Sequence, residues 1–299
     1  MTANVTAHYS CNDLIGRIDA DMKRLGLTRN TITRADLSRL DEFHVGGHGA
    51  TRSFLDNMPP LADNAQRSTK KILDIGCGIG GPARYIADHY GINVTGIDLS
   101  PDYVRAGTML NDWVGLAPLI TLTQGSATDL PPELGPFDAA IIMHLGMNIS
   151  DKQALFNSVF RALRPGGYLG IYDVMKQNDG VATYPLPWAK DSDMDASAAS
   201  AVYHRGLANA GFTITSERDR SAMALAFFAK LLGDTGNNSA DNSTDNSANN
   251  SGNNFGPPPL GLHILMGPDA KTKITNIASQ IASGLFAPTE IIAQKPALP

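Results

Sequence analysis

The sequence predicts an α/β fold, with a seven-stranded, mostly parallel sheet and helices on both faces. Short apolar segments alternate with amphipathic ones from residue 71 to residue 174, and a glycine-rich loop joins the first apolar segment to the first helical one. Hydrophobic residues make up 42% of the 299 residues, so the chain can bury a sizeable core. Strands that alternate with helices join through right-handed crossovers, which makes the strands parallel and covers both faces of the sheet.

Five strands and three helices follow one another through this region. Each strand candidate is short, apolar and followed by polar residues or by Gly and Pro. The predicted strands are 71–75, 93–98, 120–124, 137–144 and 168–174, and the helices between them are 81–89, 101–114 and 151–163. The helix at residue 101 has a clear start, because Ser100 can cap it and Pro101 suits its first position.

The pattern changes after residue 174. Residues 176–200 are polar, contain the stretch TYPLPWA and are predicted to form an inserted lid. A helix over 198–210, a sixth strand over 212–218 and a helix over 221–232 follow. Residues 236–254 hold no apolar side chain larger than alanine, which predicts a disordered insertion.

Both ends of the chain add to this frame. Apolar residues recur at helical spacing between residues 14 and 25, so residues 1–68 are predicted to form an N-terminal helical cap. Residues 69–299 then form a second domain that contains both insertions. Within it, residues 289–294 (TEIIAQ) are predicted to be the last strand. Because a helix leads straight into it, that strand could lie antiparallel at a sheet edge.

Composition and charge limit the classes of function. The formal net charge is -5, and no cluster of Lys and Arg is long enough to bind nucleic acid. Cys11 and Cys77 are far apart in the sequence, so neither a disulfide framework nor a metal site is expected. No signal-peptide pattern and no membrane-spanning stretch is found, which predicts a cytoplasmic protein without a membrane partner. The sequence leaves the oligomeric state open.

The glycine-rich loop in KILDIGCGIGGPARYIA fits two cofactor patterns. Gly76, Gly78 and Gly81 match G-x-G-x-x-G, the pattern of dinucleotide sites. Asp74 with Gly76, Gly78 and Gly80 matches D-x-G-x-G, which suits S-adenosylmethionine. In both patterns, glycines allow a tight turn and a close approach of the cofactor to the backbone.

The acidic residues near the loop bear on this choice. A helix N-terminus favours an anion such as a pyrophosphate, whereas the carboxylate of Asp74 favours the ammonium and the sulfonium of S-adenosylmethionine. Asp98 ends the second strand, where an acid can bind ribose hydroxyls of either cofactor. Asp74 therefore favours S-adenosylmethionine, whereas the glycines and Asp98 fit NAD equally well.

Further motifs lie at the ends of the later strands or between them. LDIGCGIGG, TGIDLSPDYV, GSATDLP, FDAAIIMH and LRPGGYLGIYD resemble, in this order, the motifs of class I S-adenosylmethionine-dependent methyltransferases. Three more segments are similar to the sarcosine/dimethylglycine N-methyltransferase-like group: DEFHVGGHGATRSFL, HLGMNISD and IYDVMKQNDGVATYPLPWA. The resemblance implies a Rossmann-like fold, S-adenosylmethionine as cofactor and a small-molecule methyl acceptor as partner.

The resemblance also implies which residues bind the cofactor. They are Tyr9, Asp74, Gly76, Gly78, Gly80, Asp98, Leu99, Ser126, Ala127 and Met143. The chain departs from the family at Ser126, where an aspartate usually accepts a hydrogen bond from the adenine amino group. Serine can also accept a hydrogen bond, but it is shorter and neutral. Thr128 or Asp129 could assist, and the backbone amide of Ala127 could serve the adenine ring.

Catalytic residues are expected at the end of the fourth strand. His144 could orient the acceptor or take a proton from it, because the pKa of histidine lies near neutrality. The alternative is a strand-end histidine that bonds to the backbone. Asn148 could hydrogen-bond the acceptor, and its alternative is to cap the helix that begins near residue 151.

Four further residues are predicted to bind the acceptor. His44, in the HVGG segment, would close over the cofactor or the substrate. Asp173 could bind an amine, or it could be an ordinary loop charge. Tyr184 and Trp188 could face a methylated ammonium with their rings, or they could only pack the lid.

These features predict a methyltransferase that acts on a small molecule. An amine of the sarcosine/dimethylglycine type is implied as the acceptor by the resemblance alone. Displacement at a sulfonium methyl requires alignment and exclusion of water rather than a metal. The alternatives are an O- or C-methyltransferase on the same fold, an NAD(P)-dependent oxidoreductase and a non-catalytic S-adenosylmethionine-binding protein.

Overall fold

A computed structural model describes residues 13–42, 44–62, 69–236 and 263–297. Tyr9 lies outside the described residues, as does nearly all of the predicted insertion at 236–254.

The described helices and strands alternate as the sequence predicts. The helices are α1 (Leu14–Arg24), α2 (Arg34–Asp41), α3 (Gly47–Leu55), α4 (Pro59–Ala62), α5 (Gly81–Tyr90), α6 (Pro101–Trp113), α7 (Lys152–Ala162), α8 (Ser200–Ala210), α9 (Ser221–Gly236), α10 (His263–Met266) and α11 (Ala270–Ala282). The strands are β1 (Lys71–Ile75), β2 (Asn93–Asp98), β3 (Ile120–Gln124), β4 (Phe137–Met143), β5 (Leu163–Lys176), β6 (Thr213–Asp219) and β7 (Phe286–Gln294).

All seven strands form one sheet in the order β3-β2-β1-β4-β5-β7-β6. The pairs β1–β2, β1–β4, β2–β3 and β4–β5 are parallel, whereas β7 is antiparallel to both β5 and β6. The predicted Rossmann-like, mostly parallel sheet is therefore confirmed. The last strand is antiparallel as expected, but the expectation of an edge position is wrong. It lies between β5 and β6, because it hydrogen-bonds along both of its sides.

The core lies on both faces of this sheet. Along β1, Leu73 and Ile75 pack into one buried cluster with α7, whereas Ile72 packs into the cluster on the opposite face. This alternation follows from the two-residue period of a strand. Ser100 caps α6 as predicted, since its Oγ accepts a hydrogen bond from the N–H of Tyr103.

Two strands are longer than the sequence predicts. β5 begins at Leu163, because Phe137 of β4 is already in register with that residue before the bulge that follows. β7 begins at Phe286, because the end of β5 pairs with it as far as Lys176. Sequence patterns detect the apolar centre of a strand better than its polar or glycine-containing end.

A buried ion pair joins the helix after the glycine-rich loop to the N-terminal helices. Arg84 on α5 is completely buried, and its Nη2 and Nε donate to Asp41 at 2.7 and 2.9 Å. The same guanidinium donates to Asn111 Oδ1 on α6 at 2.7 Å and to the carbonyl of Ile79 at 2.6 Å. Arg84 therefore holds α2, α5, α6 and the loop together.

Helices α2 and α5 also approach each other closely at Gly81. A Cβ on Gly81 would lie 2.1 Å from the carbonyl oxygen of Asp41. Only glycine fits at this position.

In the described part of the chain, no helix is both long and apolar enough to cross a bilayer.

Candidate functional site

The main cavity, about 320 Å³, lies at the carboxyl ends of the parallel strands. Such ends are the usual ligand sites of open α/β sheets. Many of the residues that the sequence predicts for the site line this cavity. They are His44, Asp74, Gly76, Gly78, Asp98, Leu99, Ser126, Ala127, Met143, His144, Asn148 and Trp188. Gly80, Asp173 and Tyr184 do not line it.

The glycine-rich loop turns at three residues with positive φ. Gly76, Gly78 and Gly80 have φ of 72°, 55° and 89°, which L-residues with a side chain rarely adopt. A Cβ on Gly76 would also lie 2.7 Å from the side chain of Leu145. Gly80 is the N-cap of α5, so it shapes the loop from outside the cavity.

Asp98 is fixed by two backbone bonds at the end of β2. Its Oδ2 accepts from the N–H of Gly78 at 2.9 Å, and its Oδ1 accepts from the N–H of Ser100 at 2.8 Å. Burial raises its pKa, whereas these two bonds lower it, and the net shift is upward. Each carboxylate oxygen can accept a further hydrogen bond, so Asp98 can still receive hydroxyl donors from a ligand.

Asp74 is buried and incompletely bonded. Its Oδ2 has no hydrogen-bond partner among the described residues. Burial, together with the charges of Asp98 and Glu42, raises the pKa of Asp74 to about 7. A buried carboxylate oxygen without a partner is costly, so this geometry favours a ligand that brings a cation or a donor.

The charged side chains that line the cavity are all acidic. They are Asp41, Asp74, Asp98 and Asp151, and no Lys or Arg is among the described residues that line it. Asp41 is already paired with Arg84, but Asp74 and Asp98 have no cation beside them among the lining residues, so the cavity suits a cation.

The loop after β3 forms another wall of the cavity. Ser126 Oγ lies 2.9 Å from Thr128 Oγ1 and also accepts from the N–H of Thr128 at 3.3 Å. A short bridge joins Ser126 to Asp129 and closes the turn. The hydroxyl of Ser126 is thus held within a small turn, next to Ala127.

His144 has a strained backbone and a buried ring. Its φ of 54° is unusual for a residue with a side chain, and its N–H donates to the carbonyl of Tyr172 at 2.7 Å. Its Nε2 is buried and has no hydrogen-bond partner among the described residues. Burial, and to a lesser degree the charge of His44, lowers the pKa of His144 well below its usual value, so the ring is neutral at physiological pH.

His44 lies beside His144, with ring centroids 5.8 Å apart. Its Nε2 lies 3.1 Å from the carbonyl of Gly47 and 2.8 Å from Thr51 Oγ1. Since a carbonyl only accepts, Nε2 carries the proton and donates to Gly47. Thr51 donates in turn to the buried carboxylate of Glu42 at 2.6 Å. His44 is therefore held in one tautomer, with Nδ1 as the nitrogen able to accept.

Trp188 and Tyr184 share one anchor in the segment predicted as a lid. Trp188 Nε1 donates to Asp195 Oδ1 at 2.9 Å, and the Tyr184 hydroxyl donates to Asp195 Oδ2 at 2.8 Å. Trp188 lines the cavity, but Tyr184 does not. These bonds give Tyr184 a structural role, and its predicted contact with an acceptor finds no support in the cavity lining.

Asp173 is placed differently from the expectation. It is completely buried, and its carboxylate accepts from the N–H of Gly146 at 3.0 Å and from the Tyr203 hydroxyl at 3.1 Å. Lys152 stabilises the same turn by donating to the carbonyls of Gly146 and Ile149. Asp173 thus supports the turn after β4 and does not line the cavity.

Asn148 lies in that turn, a 3-10 helix over Gly146–Asn148, and lines the cavity. The expected alternative, in which it caps the next helix, is not observed. Asp151 caps α7 instead, by accepting from the N–H of Ala154 at 2.8 Å. Asn148 therefore faces the site without serving as this helix cap.

Sequence reasoning missed several residues of the cavity. They include Asp41, Tyr103, Leu145, Met147, Pro187 and Leu265. Met147 follows His144 closely, so its position was a usable signal. Leu265 comes from a distant segment with no motif, and no pattern in the sequence places it here.

Among the described residues, no group of three or more His, Cys, Asp or Glu side chains is arranged to hold a metal ion.

A second, smaller cavity of about 40 Å³ adjoins the first. His44, His144, Pro187 and Trp188 line both cavities and so form the boundary between them.

Comparison with known proteins agrees with this geometry. Residues 72–167 match a family model described as a methyltransferase domain. Phosphoethanolamine N-methyltransferase 1 of Zea mays is 31% identical over 199 residues, which are 66% of this chain and 38% of that enzyme. The chain also spans less than half the length of the other curated relatives compared.

Two solved structures share the fold. A candidate sarcosine dimethylglycine methyltransferase from Galdieria sulphuraria has a TM-score of 0.58 at 20% identity, covering 77% of this chain and 80% of its own. The [4+2]-cyclase SpnF has a TM-score of 0.62 at 20% identity, covering 95% of this chain and 96% of its own. At these identities the likeness shows the fold alone.

Proposed function

We propose that this chain, which contains a class I methyltransferase domain, transfers a methyl group from S-adenosylmethionine to a small-molecule acceptor. The acidic lining of the main cavity is the observation that carries the proposal. Four aspartates and no Lys or Arg line it in the described part of the chain. This charge pattern favours a sulfonium cofactor over NAD(P), whose pyrophosphate would face carboxylates.

The residues present fit S-adenosylmethionine. Asp98 would accept ribose hydroxyls, and the turn at Ser126 and Ala127 would meet the adenine. Asp74, whose Oδ2 has no hydrogen-bond partner within the described ranges, would bind the ammonium of the amino-acid end, directly or through water. Bound S-adenosylmethionine supplies a methyl group already attached to a good leaving group.

His144 is the residue we propose to act on the acceptor. Three observations support this role: its positive φ, the lack of a hydrogen-bond partner for Nε2 in the described part of the chain, and its place between the two cavities. Backbone strain often occurs at functional sites. A neutral imidazole can accept a proton from a hydroxyl or an amine, or orient it by a hydrogen bond. Asn148, His44 and Trp188 would surround the acceptor.

The finer proposal is an amine acceptor of the sarcosine/dimethylglycine type. The resemblance of HLGMNISD and TYPLPWA to that group supports it. Trp188 supports it as well, since an aromatic ring suits a methylated ammonium. A cytoplasmic location and the absence of a nucleic-acid partner remain proposals, based on composition.

Calorimetry with three ligands tests the cofactor. Heat of binding is expected with S-adenosylmethionine and S-adenosylhomocysteine and none with NADH. Release of S-adenosylhomocysteine during incubation with acceptors then tests methyl transfer. Because SpnF shares this fold and is described as a cyclase, binding without transfer to any acceptor would indicate another reaction on the same site. Binding of NADH alone would contradict the proposal.

The affinity for S-adenosylmethionine is expected to fall as the pH falls below 7. The pKa of Asp74 is raised to about 7, and a cation favours the ionised carboxylate. Below that pKa, binding must remove a proton from Asp74, which lowers the affinity by at most about tenfold per pH unit. Dissociation constants measured between pH 5.5 and 7.0 check this. The Asp74→Asn variant should bind more weakly at pH 7 and lose most of the slope. An unchanged slope would remove Asp74 from this role.

A further inference from the structure

Lys152, at the start of α7, is a buried lysine with 5% of its surface exposed. Its Nζ donates to three backbone carbonyls, those of Gly146 at 2.8 Å, Ile149 at 2.6 Å and Ala196 at 2.9 Å. An ammonium has three N–H donors, and burying it is costly unless they are bonded. Lys152 therefore ties Ala196, which belongs to segment 176–200, to the turn after β4.

The turn held by Lys152 forms one wall of the main cavity, which residues 147–149 line. Both backbone groups of Gly146 are fixed, because its N–H donates to Asp173 at 3.0 Å and its carbonyl accepts from Lys152. A Cβ on Gly146 would lie 2.2 Å from Asp173, so no side chain fits there. The wall that begins two residues after His144 is thus held between a buried ammonium and a buried carboxyl group.

The other end of this connection lies next to the anchor of Trp188. Ala196 accepts from Lys152, and its own N–H donates to the carbonyl of Met147 at 2.9 Å. The preceding residue, Asp195, accepts from Trp188 Nε1 at 2.9 Å. Trp188 lines both cavities. Lys152 therefore links the wall formed by the turn to the part of the site that Trp188 forms.

We propose that Lys152 is a positioning residue for methyl transfer, because it sets the position of Trp188 relative to the turn that carries Asn148. This inference rests on the proposed function, in which both of these residues contact the acceptor. It extends that function to a side chain that lines neither cavity. Displacement of a reactant by about 1 Å can cost on the order of a hundredfold in rate. Loss of the ammonium is therefore expected to impair the acceptor half of the site and to leave the cofactor half unchanged.

Lys152→Met tests this role, because methionine has a similar length and no N–H donor. With dimethylglycine as acceptor, KM is expected to rise at least tenfold and kcat to fall, while the Kd of S-adenosylhomocysteine changes less than twofold. The kinetics are measured at a temperature at which circular dichroism shows that the variant is folded, which removes the effect of lost stability. Lys190→Met, at an exposed lysine of the same segment, is the matched control and should keep the parental values.

Fluorescence of Trp188 gives a readout that needs neither cofactor nor acceptor. Trp113 is the other tryptophan of the chain and lines neither cavity, so Trp113→Phe leaves Trp188 as the single emitter. Trp188 is 3% exposed, so acrylamide should quench its emission weakly. Adding Lys152→Met is expected to increase the quenching constant at least twofold, whereas adding Lys190→Met should not change it.

The pH dependence of the same signal covers the case in which Lys152→Met does not fold. Burial lowers the pKa of Lys152 to about 8, while the charges of Asp173 on β5 and Asp195 act in the opposite direction. The ring of Tyr203 on α8 lies 5.4 Å from the ammonium, and burial raises the pKa of its hydroxyl well above the usual value. A neutral amine has only two N–H donors for the three carbonyls. Quenching is therefore expected to increase between pH 7 and pH 9.5, with a midpoint near the pKa of Lys152.

The outcomes distinguish this inference from the proposed function. A folded Lys152→Met variant whose KM or quenching constant equals that of the parent overturns the inference. If that variant does not fold, a quenching constant that stays flat between pH 7 and pH 9.5 overturns it. If dimethylglycine is not methylated, the amine acceptor is wrong, and the quenching constants alone decide the role of Lys152. Failure of both S-adenosylmethionine and S-adenosylhomocysteine to bind overturns the proposed function, and the fluorescence still tests the connection between Lys152 and Trp188.

Discussion

The Arg84→Met variant is expected to lose about 3–5 kcal/mol of the free energy of unfolding, the usual cost of removing one partner from a buried ion pair. Arg84 is completely buried and donates to Asp41, Asn111 and the carbonyl of Ile79. Methionine fills much of the same space but leaves the carboxylate of Asp41 buried without its cation. Urea denaturation followed by circular dichroism measures the loss.

The pH dependence of this loss gives an additional check. Burial raises the pKa of Asp41 to about 6, and the charge of Arg84 acts in the opposite direction. Without Arg84 the pKa of Asp41 should rise further, so Asp41 would be neutral at pH 5. The buried carboxylate would lower the free energy of unfolding only above that higher pKa. The variant is therefore expected to lose less stability at pH 5 than at pH 8, each compared with the parent protein.

Arg105→Met is the matched control. Arg105 also pairs with an aspartate, Asp102, but its side chain is 65% exposed. An exposed ion pair contributes roughly 0–1 kcal/mol, so the control should unfold almost as the parent does. Equal losses in the two variants would contradict the role assigned to Arg84.

The Asp98→Ala variant is expected to bind S-adenosylmethionine roughly 10- to 150-fold more weakly. A hydrogen bond to a charged group contributes about 1.5–3 kcal/mol, which corresponds to this range. The variant also loses the two bonds by which Asp98 holds the N–H groups of Gly78 and Ser100. Its loop should therefore be less ordered before binding. Calorimetric titration measures the dissociation constant.

Two further variants make this result specific. Asp102→Ala removes a nearby carboxylate on α6 that does not line the cavity, and it should bind the cofactor as the parent protein does. Asp98→Asn keeps the shape and one acceptor oxygen, so it should lie between the parent and Asp98→Ala. A dissociation constant of Asp98→Ala equal to that of the parent would remove Asp98 from the cofactor site.

Much of the sheet could be predicted from the sequence, because several of its strands are defined locally. The bounds of β1, β2 and β3 agree with the predicted 71–75, 93–98 and 120–124. Each is a short apolar segment between turn residues, so the pattern and the strand coincide. The position of β7 could not be predicted, because pairing with β5 and β6 depends on contacts over long sequence distances.

The cofactor half of the site could also be predicted from the sequence more fully than the acceptor half. The cofactor half follows strand ends and a glycine-rich loop, so Asp74, Asp98 and Ser126 were placed on the main cavity from motifs. The acceptor half depends on which side chains are already bonded. Asp173 bonds to Gly146 and Tyr203, and Tyr184 bonds to Asp195, and no sequence pattern reveals these partners.

The place of β7 in the sheet has a consequence for the order of folding. β6 pairs with β7 and with no other described strand, so it has no neighbour in the sheet until residues 286–294 are available. Strands β1 to β5 pair only with one another and with β7. Because domains fold as the chain emerges, these five strands can pair once the first 176 residues have been synthesised. On the ribosome, β6 must therefore wait, unpaired, for a strand that is made about seventy residues later.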